Sequence, residues 1–125
     1  METPWGSWEI LGEGANFKIK KLVINPTHRL SMQMHHKRSE YWVVVSGRGV
    51  LSTQWPEAGN LQYNSLMVAG DHLLIPVGQC HRIEALAAKD DVPLIIIETQ
   101  VGVCDENDIE RTEDDYGRIL FTTCP

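Results

Sequence analysis

The chain has 125 residues, of which 42% are hydrophobic and 22% charged, a composition typical of one folded domain that excludes a disordered chain. Its 17 acidic residues outnumber 11 basic ones, the formal net charge is −6, and the sequence contains no basic block. These features exclude nucleic acid and anionic membranes as main partners, and the longest apolar run, around residues 94–97, is too short to cross a bilayer.

The N-terminal sequence and the cysteines bear on cellular location. The first residues lack the positive start and apolar run of a secretory signal. Three cysteines, Cys80, Cys104 and Cys124, include no Cys-x-x-Cys pair. We therefore expect free thiols and a cytoplasmic protein.

Short β-forming runs bounded by glycine, proline and asparagine follow one another from the N-terminus to residue 101. Turn signals separate them, for example at 12–14, 25–26, 47–49 and 76–78. Many short strands at this spacing predict an all-β domain, namely a sandwich, a jelly roll or a small barrel. The predicted strands are 8–11, 17–24, 29–35, 41–46, 50–54, 61–68, 72–75, 81–85 and 93–101.

These elements predict a single domain over residues 1–125. Within it we distinguish an N-terminal arm and first strand (1–16), a barrel (17–101) and a C-terminal strap (102–125). Acidic residues crowd the last part, and the stretch 105–118 is predicted to form a loose strap or a helical turn.

Two segments carry residues that are typical metal ligands. Gln33 and His35 share one face of a strand because side chains alternate, and Glu40 returns towards the same interior after a short turn. His81 begins a later strand after a Pro-x-Gly turn. Taken singly, each residue has an ordinary structural explanation. Together, two imidazoles, a carboxylate and an amide oxygen predict a site for one divalent cation per chain, either zinc, manganese, iron, cobalt or nickel.

The two segments resemble the paired motifs of the cupin superfamily. Further stretches resemble one subfamily, the C-terminal isomerase domain of type II mannose-6-phosphate isomerase/mannose-1-phosphate guanylyltransferases. The resemblance implies a cupin fold, which is a double-stranded β-helix or jelly-roll barrel, and a homodimer. It also implies four metal ligands, Gln, His, Glu and His, with zinc as the expected metal. The matching stretches are 4–9, 17–20, 30–36, 40–47, 75–78 and 113–118.

The resemblance also implies a reaction, the interconversion of mannose 6-phosphate and fructose 6-phosphate through a cis-enediol. Arg38 and Arg82 match arginines of the family motifs, and Lys20 matches a Phe-Lys-x-Lys pattern. We assign Arg38 a catalytic role, and Arg82, Lys20 and Arg29 to the sugar phosphate; Arg29 is included because it shares the alternation of the ligand-bearing strand. Glu98 ends an apolar strand and points either inwards, as the catalytic base, or outwards at an edge.

Two other functions remain open. Departures from the family pattern at Lys37, Leu73, Leu74 and Ala85 favour a non-catalytic metal-binding cupin that binds a sugar phosphate or nucleotide sugar and partners a separate guanylyltransferase. Another metal-cupin reaction, such as an oxygenase, is the third hypothesis. Gln33 argues against it, because oxygen-activating cupins generally use more imidazoles.

Overall fold

A computed structural model of the protein describes residues 1–58, 61–87 and 89–117. Within these residues the chain is built from strands, with one short 3-10 turn at Pro56–Ala58. The strands are β1 (Glu2–Thr3), β2 (Gly6–Glu13), β3 (Phe17–Ile24), β4 (Met32–Met34), β5 (Arg38–Ser46), β6 (Arg48–Gln54), β7 (Tyr63–Val68), β8 (His72–Ile75), β9 (Cys80–Ala85), β10 (Leu94–Gly102) and β11 (Glu110–Glu113).

The strands form two antiparallel sheets. The first has six strands in the order β1-β2-β3-β10-β5-β8, and the second has five in the order β11-β4-β9-β6-β7. The all-β prediction is confirmed, and the bounds of the predicted strands differ from the observed ones by at most three residues. Alternating apolar residues and glycine or proline turns were sufficient signals for β2 to β10, because a strand with one face towards the interior alternates in this way; β1 and β11 were not predicted.

The C-terminal segment contains a strand where a helical turn was one of two expectations. β11 pairs with β4, placing Arg111 opposite Gln33 and Glu110 opposite Met34. The helical turn is therefore wrong, and residue 118 lies outside the described residues. The physical reason is that β4 would otherwise be an open sheet edge, whose backbone groups need partners that a helical turn does not supply.

The space between the sheets changes from apolar to polar along the strands. On β10 the inward residues run from Leu94 and Ile96 to Glu98 and Gln100, all buried. On β5 and β3 the same change occurs in the opposite chain direction, from buried polar residues to an apolar half. The apolar half forms the core, where burial of one large apolar side chain contributes about 1.5–3 kcal/mol. The core closes one end of the space between the sheets, and the polar half leaves a cavity at the other end.

Gly47 allows the tight connection between β5 and β6. Its φ is +80°, a left-handed conformation that favours glycine. A Cβ at this position would lie 2.5 Å from the carbonyl oxygen of Pro93, so the turn also needs glycine for space. The close approach fixes the end of β5 against the start of β10, and these two strands carry much of the polar half.

The cysteines correct one expectation. Cys80 and His81 point to opposite faces of β9, since Cys80 packs with Met32 and Met34. Cys104 is a free thiol, whereas Cys80 is disulfide-bonded, so the prediction of free thiols is wrong for Cys80. The thiol argument for a reducing compartment therefore loses its support.

A search for membrane-crossing helices among the described residues finds none that is long and apolar enough.

Candidate metal centre

Three buried side chains meet at the polar end of the space between the sheets. His35 directly follows β4, Glu40 lies on β5 and His81 on β9, and one potential ligand atom from each lies within 4.8 Å of the others. His35 Nε2 is 3.2 Å from Glu40 Oε2, and His81 Nε2 is 3.7 Å from Glu40 Oε1. The fold thus brings together residues that are 46 positions apart in the sequence.

Each histidine is oriented by a backbone carbonyl. His35 Nδ1 donates to the carbonyl oxygen of Asp108 at 2.7 Å, and His81 Nδ1 donates to that of Gln79 at 3.0 Å. Because a carbonyl oxygen only accepts, Nδ1 carries the proton in both rings and Nε2 presents its lone pair. Burial lowers the pKa of His35 to about 4 and lowers that of His81 as well, so both rings are neutral at pH 7.

The Glu40 carboxylate is anchored from both sides. Arg38 Nε donates to Oε2 at 3.0 Å, and Trp42 Nε1 donates to Oε1 at 3.1 Å. Burial raises the pKa of Glu40, but its interactions with His35, His81 and Arg38 outweigh burial and leave the pKa below its ordinary value. Arg38 also donates to the carbonyl oxygen of Asp105 at 3.2 Å, which fixes the guanidinium group.

The chemistry of this group fits a divalent cation. His81 Nε2 is buried and has no hydrogen-bond partner among the described residues. Arg38 Nη2 lies 3.4 Å from His35 Nε2, so within the described part of the chain the lone pair of His81 Nε2 is the one in this group that lacks a donor. A buried acceptor without a donor is unfavourable, and a cation between the two rings and the Glu40 carboxylate would satisfy it. Imidazole nitrogen and carboxylate oxygen are ligands of zinc and of neighbouring transition metals.

Gln33 lies beside this group. It lines the same cavity as His35 and Glu40 and is directly opposite His81 in the register of β4 and β9. Its position agrees with the alternation argument, because Met32 and Met34 on either side of it pack on the other face of the sheet. The role of Gln33 as a fourth ligand stays a prediction.

The opposite wall of the cavity carries Glu98, Gln100 and Lys20. The cavity has a volume of about 120 Å³, room for several water molecules. Glu98 points inwards, which resolves the alternative left open by the sequence. Burial and the nearby charge of Glu40 raise the pKa of Glu98 to about 8. Gln100 Nε2 donates to Glu98 Oε1 at 2.6 Å, and Lys20 Nζ lies 3.9 Å from the centre of the Trp8 ring.

Arg29 and Arg82 do not line the cavity. Arg29 forms two hydrogen bonds to the Asp115 carboxylate, at 2.8 and 2.9 Å. Arg82 donates to Glu113 Oε2 at 2.9 Å and to the carbonyl oxygen of Leu30 at 2.9 Å. Both guanidinium groups hold the C-terminal segment, and their assignment to a sugar phosphate stays a prediction that their positions outside the cavity lining do not support.

Sequence reasoning missed several cavity residues. Gln100 is fully buried, and its Oε1 has no partner among the described residues. The alternation that puts Glu98 inwards also predicts Gln100 inwards, so a signal existed. Trp8 had no such signal. Nor did Glu106, which lines the cavity from the loop after β10.

Comparisons with known proteins show the family to which the chain belongs. The family described as "Mannose-6-phosphate isomerase C-terminal" matches residues 1–114. The alginate biosynthesis protein AlgA of Pseudomonas aeruginosa is 40% identical over 116 residues, which are 92% of this chain and 22% of AlgA. The mannose-1-phosphate guanylyltransferase ManC of Salmonella typhimurium is 33% identical over 117 residues, or 93% of this chain and 22% of ManC. The chain therefore spans about a fifth of the length of these relatives.

A solved structure shares the architecture. The oxalate decarboxylase of Lactobacillus farciminis, in its formate complex, superimposes with a TM-score of 0.74 at 20% identity, covering 89% of this chain and 32% of that one. At this identity the likeness concerns the fold alone. Together with the two facing antiparallel sheets, it confirms the predicted cupin jelly-roll fold.

Proposed function

The chain belongs to the mannose-6-phosphate isomerase C-terminal family, and from that membership we propose that it interconverts mannose 6-phosphate and fructose 6-phosphate. The observation that carries the proposal is the convergence of His35, Glu40 and His81 inside a cavity that also contains Glu98. Cation ligands and a buried carboxyl group on facing walls are what a proton transfer next to a carbonyl group requires.

His35, Glu40, His81 and the amide oxygen of Gln33 would hold one divalent cation. Zinc is the expected metal, and manganese, cobalt, nickel and iron are the alternatives. When bound, such a cation supplies Lewis-acid stabilisation of the negative charge that develops on the sugar oxygens. Arg38 keeps Glu40 in place and ionised, and Trp42 fixes its other oxygen.

Glu98 would move the proton. As a carboxylate it takes the proton from C2 of the aldose, which leaves a cis-enediolate with the negative charge on O1. The hydroxyl proton then passes from O2 to O1, and Glu98, now a carboxylic acid, returns its proton to C1 to give the ketose. A pKa raised to about 8 makes Glu98 a stronger base than an exposed glutamate. Gln100 orients the carboxyl group through its 2.6 Å hydrogen bond, and Trp5 and Trp8 cover part of the cavity and limit the access of water.

The experiment is a coupled assay on protein that has been stripped of metal and then reconstituted with single cations. We expect turnover of mannose 6-phosphate with at least one cation, and none for Glu98→Gln loaded with the same cation. Glu98→Gln is the matched control because it keeps the size and the hydrogen-bond acceptor of the side chain. Absence of turnover with every cation would contradict the proposal.

A second candidate function is a non-catalytic cupin that binds a sugar phosphate or nucleotide sugar and assists a separate guanylyltransferase. The observation that favours it is the likeness to ManC, a guanylyltransferase of which the chain covers only 22%. Sugar-phosphate binding without turnover, measured by calorimetry on the same reconstituted samples, is the result expected for this function.

We further propose a homodimer. Tyr41, Val43 and Val45 alternate along the outer face of β5 and are about half exposed, and Leu74 lies opposite Tyr41 on the edge strand β8. An exposed apolar stripe next to a sheet edge favours association with a second copy. Sedimentation equilibrium over a range of concentrations tests this.

A further inference from the structure

Two lysines on β3, Lys18 and Lys20, share the carboxylate of Glu106; Lys20 and Glu106 line the cavity, and Lys18 lies next to them. Glu106 Oε1 is 3.3 Å from Lys18 Nζ and also contacts Lys20 Nζ. The lysine side chains are only 11% and 6% exposed, whereas that of Glu106 is 48% exposed. The cations therefore belong to the wall of the protein, and the anion reaches them from the solvent side.

The position of the lysines follows from alternation on β3. Lys18, Lys20 and Leu22 share one face, so the two ammonium groups continue the inward row where the core becomes polar. Lys20 lies across from Glu98 in the register of β3 and β10, and its ammonium group rests over the Trp8 ring. A buried ammonium group needs an anion, and burial without one is costly.

The charges at this place do not balance with Glu106 alone. Two ammonium groups carry two positive charges, and the shared carboxylate supplies one negative charge. A phosphate monoester at neutral pH carries nearly two negative charges and three acceptor oxygens, so it matches the pair of lysines in charge and offers each a separate oxygen.

Hydrogen bonds hold the backbone on both sides of Glu106, whereas its side chain is half exposed and, among the described residues, is held by the two lysines alone. On one side the carbonyl oxygen of Asp105 accepts from Arg38, and on the other the Asp108 carboxylate accepts from the backbone N–H groups of His36 and Lys37, both at 2.9 Å. Release of the lysines thus needs only a rotation of the Glu106 side chain, without movement of the loop.

We propose that Lys18 and Lys20 bind the phosphate group of the substrate and that Glu106 occupies this site as a competing anion until the phosphate displaces it. The identity of the ligand as a sugar phosphate rests on the proposed function; the anion site and its internal competitor do not. Glu106 would then weaken phosphate binding, which is the opposite of what a residue that positions the lysines would do.

Isothermal titration calorimetry with inorganic phosphate and with mannose 6-phosphate tests the sign of this effect. Glu106→Gln keeps the side-chain size and removes the competing charge, so we expect both ligands to bind about three- to tenfold more tightly, the effect of losing two partly exposed ion pairs. Glu113→Gln is the matched control. It removes the same charge from the same segment, but Glu113 contacts Arg82 outside the cavity, and we expect unchanged affinities.

Weaker or unchanged phosphate binding by Glu106→Gln would overturn the proposal, as would an equal gain in Glu113→Gln, which would indicate a general effect of net charge. Lys20→Met should weaken binding of both ligands at least tenfold in a sample whose circular dichroism matches that of the wild type. The titration with inorganic phosphate tests the anion site separately from the proposed isomerase function. Tighter phosphate binding by Glu106→Gln supports the anion site even in a protein without isomerase activity.

Discussion

Replacing Glu98 by glutamine should change how the stability of the protein depends on pH. Glu98 is 6% exposed, and its pKa is raised from the ordinary 4.5 to about 8, first by burial and second by the charge of Glu40. The unfolded chain therefore releases this proton near pH 4.5, while the folded protein keeps it until about pH 8. The stability that the retained proton provides is complete below pH 4.5 and is lost as the pH rises through this window.

The size of the effect follows from the two pKa values. Between pH 5 and pH 7 the wild-type protein should lose about 2.5 kcal/mol of unfolding free energy relative to Glu98→Gln, at about 1.4 kcal/mol for each unit of pH across most of the window. A domain of this size has about 5–15 kcal/mol in total, so the difference is a large fraction of its stability. Glutamine keeps the volume of the side chain and an oxygen that accepts from Gln100, so packing changes little.

Urea denaturation of the metal-free protein at both pH values measures this difference. The histidines of the site titrate in wild type and variant alike, so their contribution cancels when the two proteins are compared. We expect the free energy of unfolding of Glu98→Gln, relative to wild type, to rise between pH 5 and pH 7. Parallel pH profiles would refute the reasoning, because they would mean that Glu98 is ionised in the folded protein or exposed to water.

Two further substitutions test the site and the turn that supports it. His81→Ala should lose most of its bound zinc after gel filtration, measured by mass spectrometry of the metal, while His72→Ala on an exposed edge strand should retain it; equal metal contents would remove His81 from the ligand set. Gly47→Ala should lower the unfolding free energy by about 1 kcal/mol more than Gly70→Ala. Both glycines have positive φ, but only at Gly47 would a Cβ meet a backbone oxygen, that of Pro93. Equal losses in the two variants would contradict the predicted clash.

The strands were predictable because alternation and turn residues are local signals. β3 and β8 have the predicted bounds, and the change from apolar to polar along β10 can be read directly in the sequence. The pairing of β11 with β4 was not predictable in this way. A short acidic segment has no apolar alternation, and it becomes a strand because an open sheet edge is available to it.

Alternation also explains why two of the predicted site residues, Arg29 and Arg82, lie outside the cavity. An unbroken strand from 29 to 35 would place Arg29 inwards. Leu30 and Ser31 both line the cavity, however, so the alternation is interrupted between them and Arg29 faces out. For Arg82 the rule itself was sufficient. It directly follows His81 on β9, so alternation points its side chain to the other face of the sheet, where it contacts Glu113.

The remaining part of the site depends on contacts that no local pattern encodes. The orientation of His35 comes from the carbonyl oxygen of Asp108, 73 residues later, and the partner of Lys20 is Glu106, 86 residues later. Both come from the loop after β10, whose charged residues have the composition of a solvated segment. The same loop therefore orients one predicted metal ligand and supplies an anion to the cations of the cavity. Substitution of Glu106 should change anion affinity, because Glu106 contacts Lys20. Substitution of Asp108 should change metal affinity instead, because its carboxylate accepts from the backbone N–H groups of His36 and Lys37 and so holds the carbonyl oxygen that orients His35.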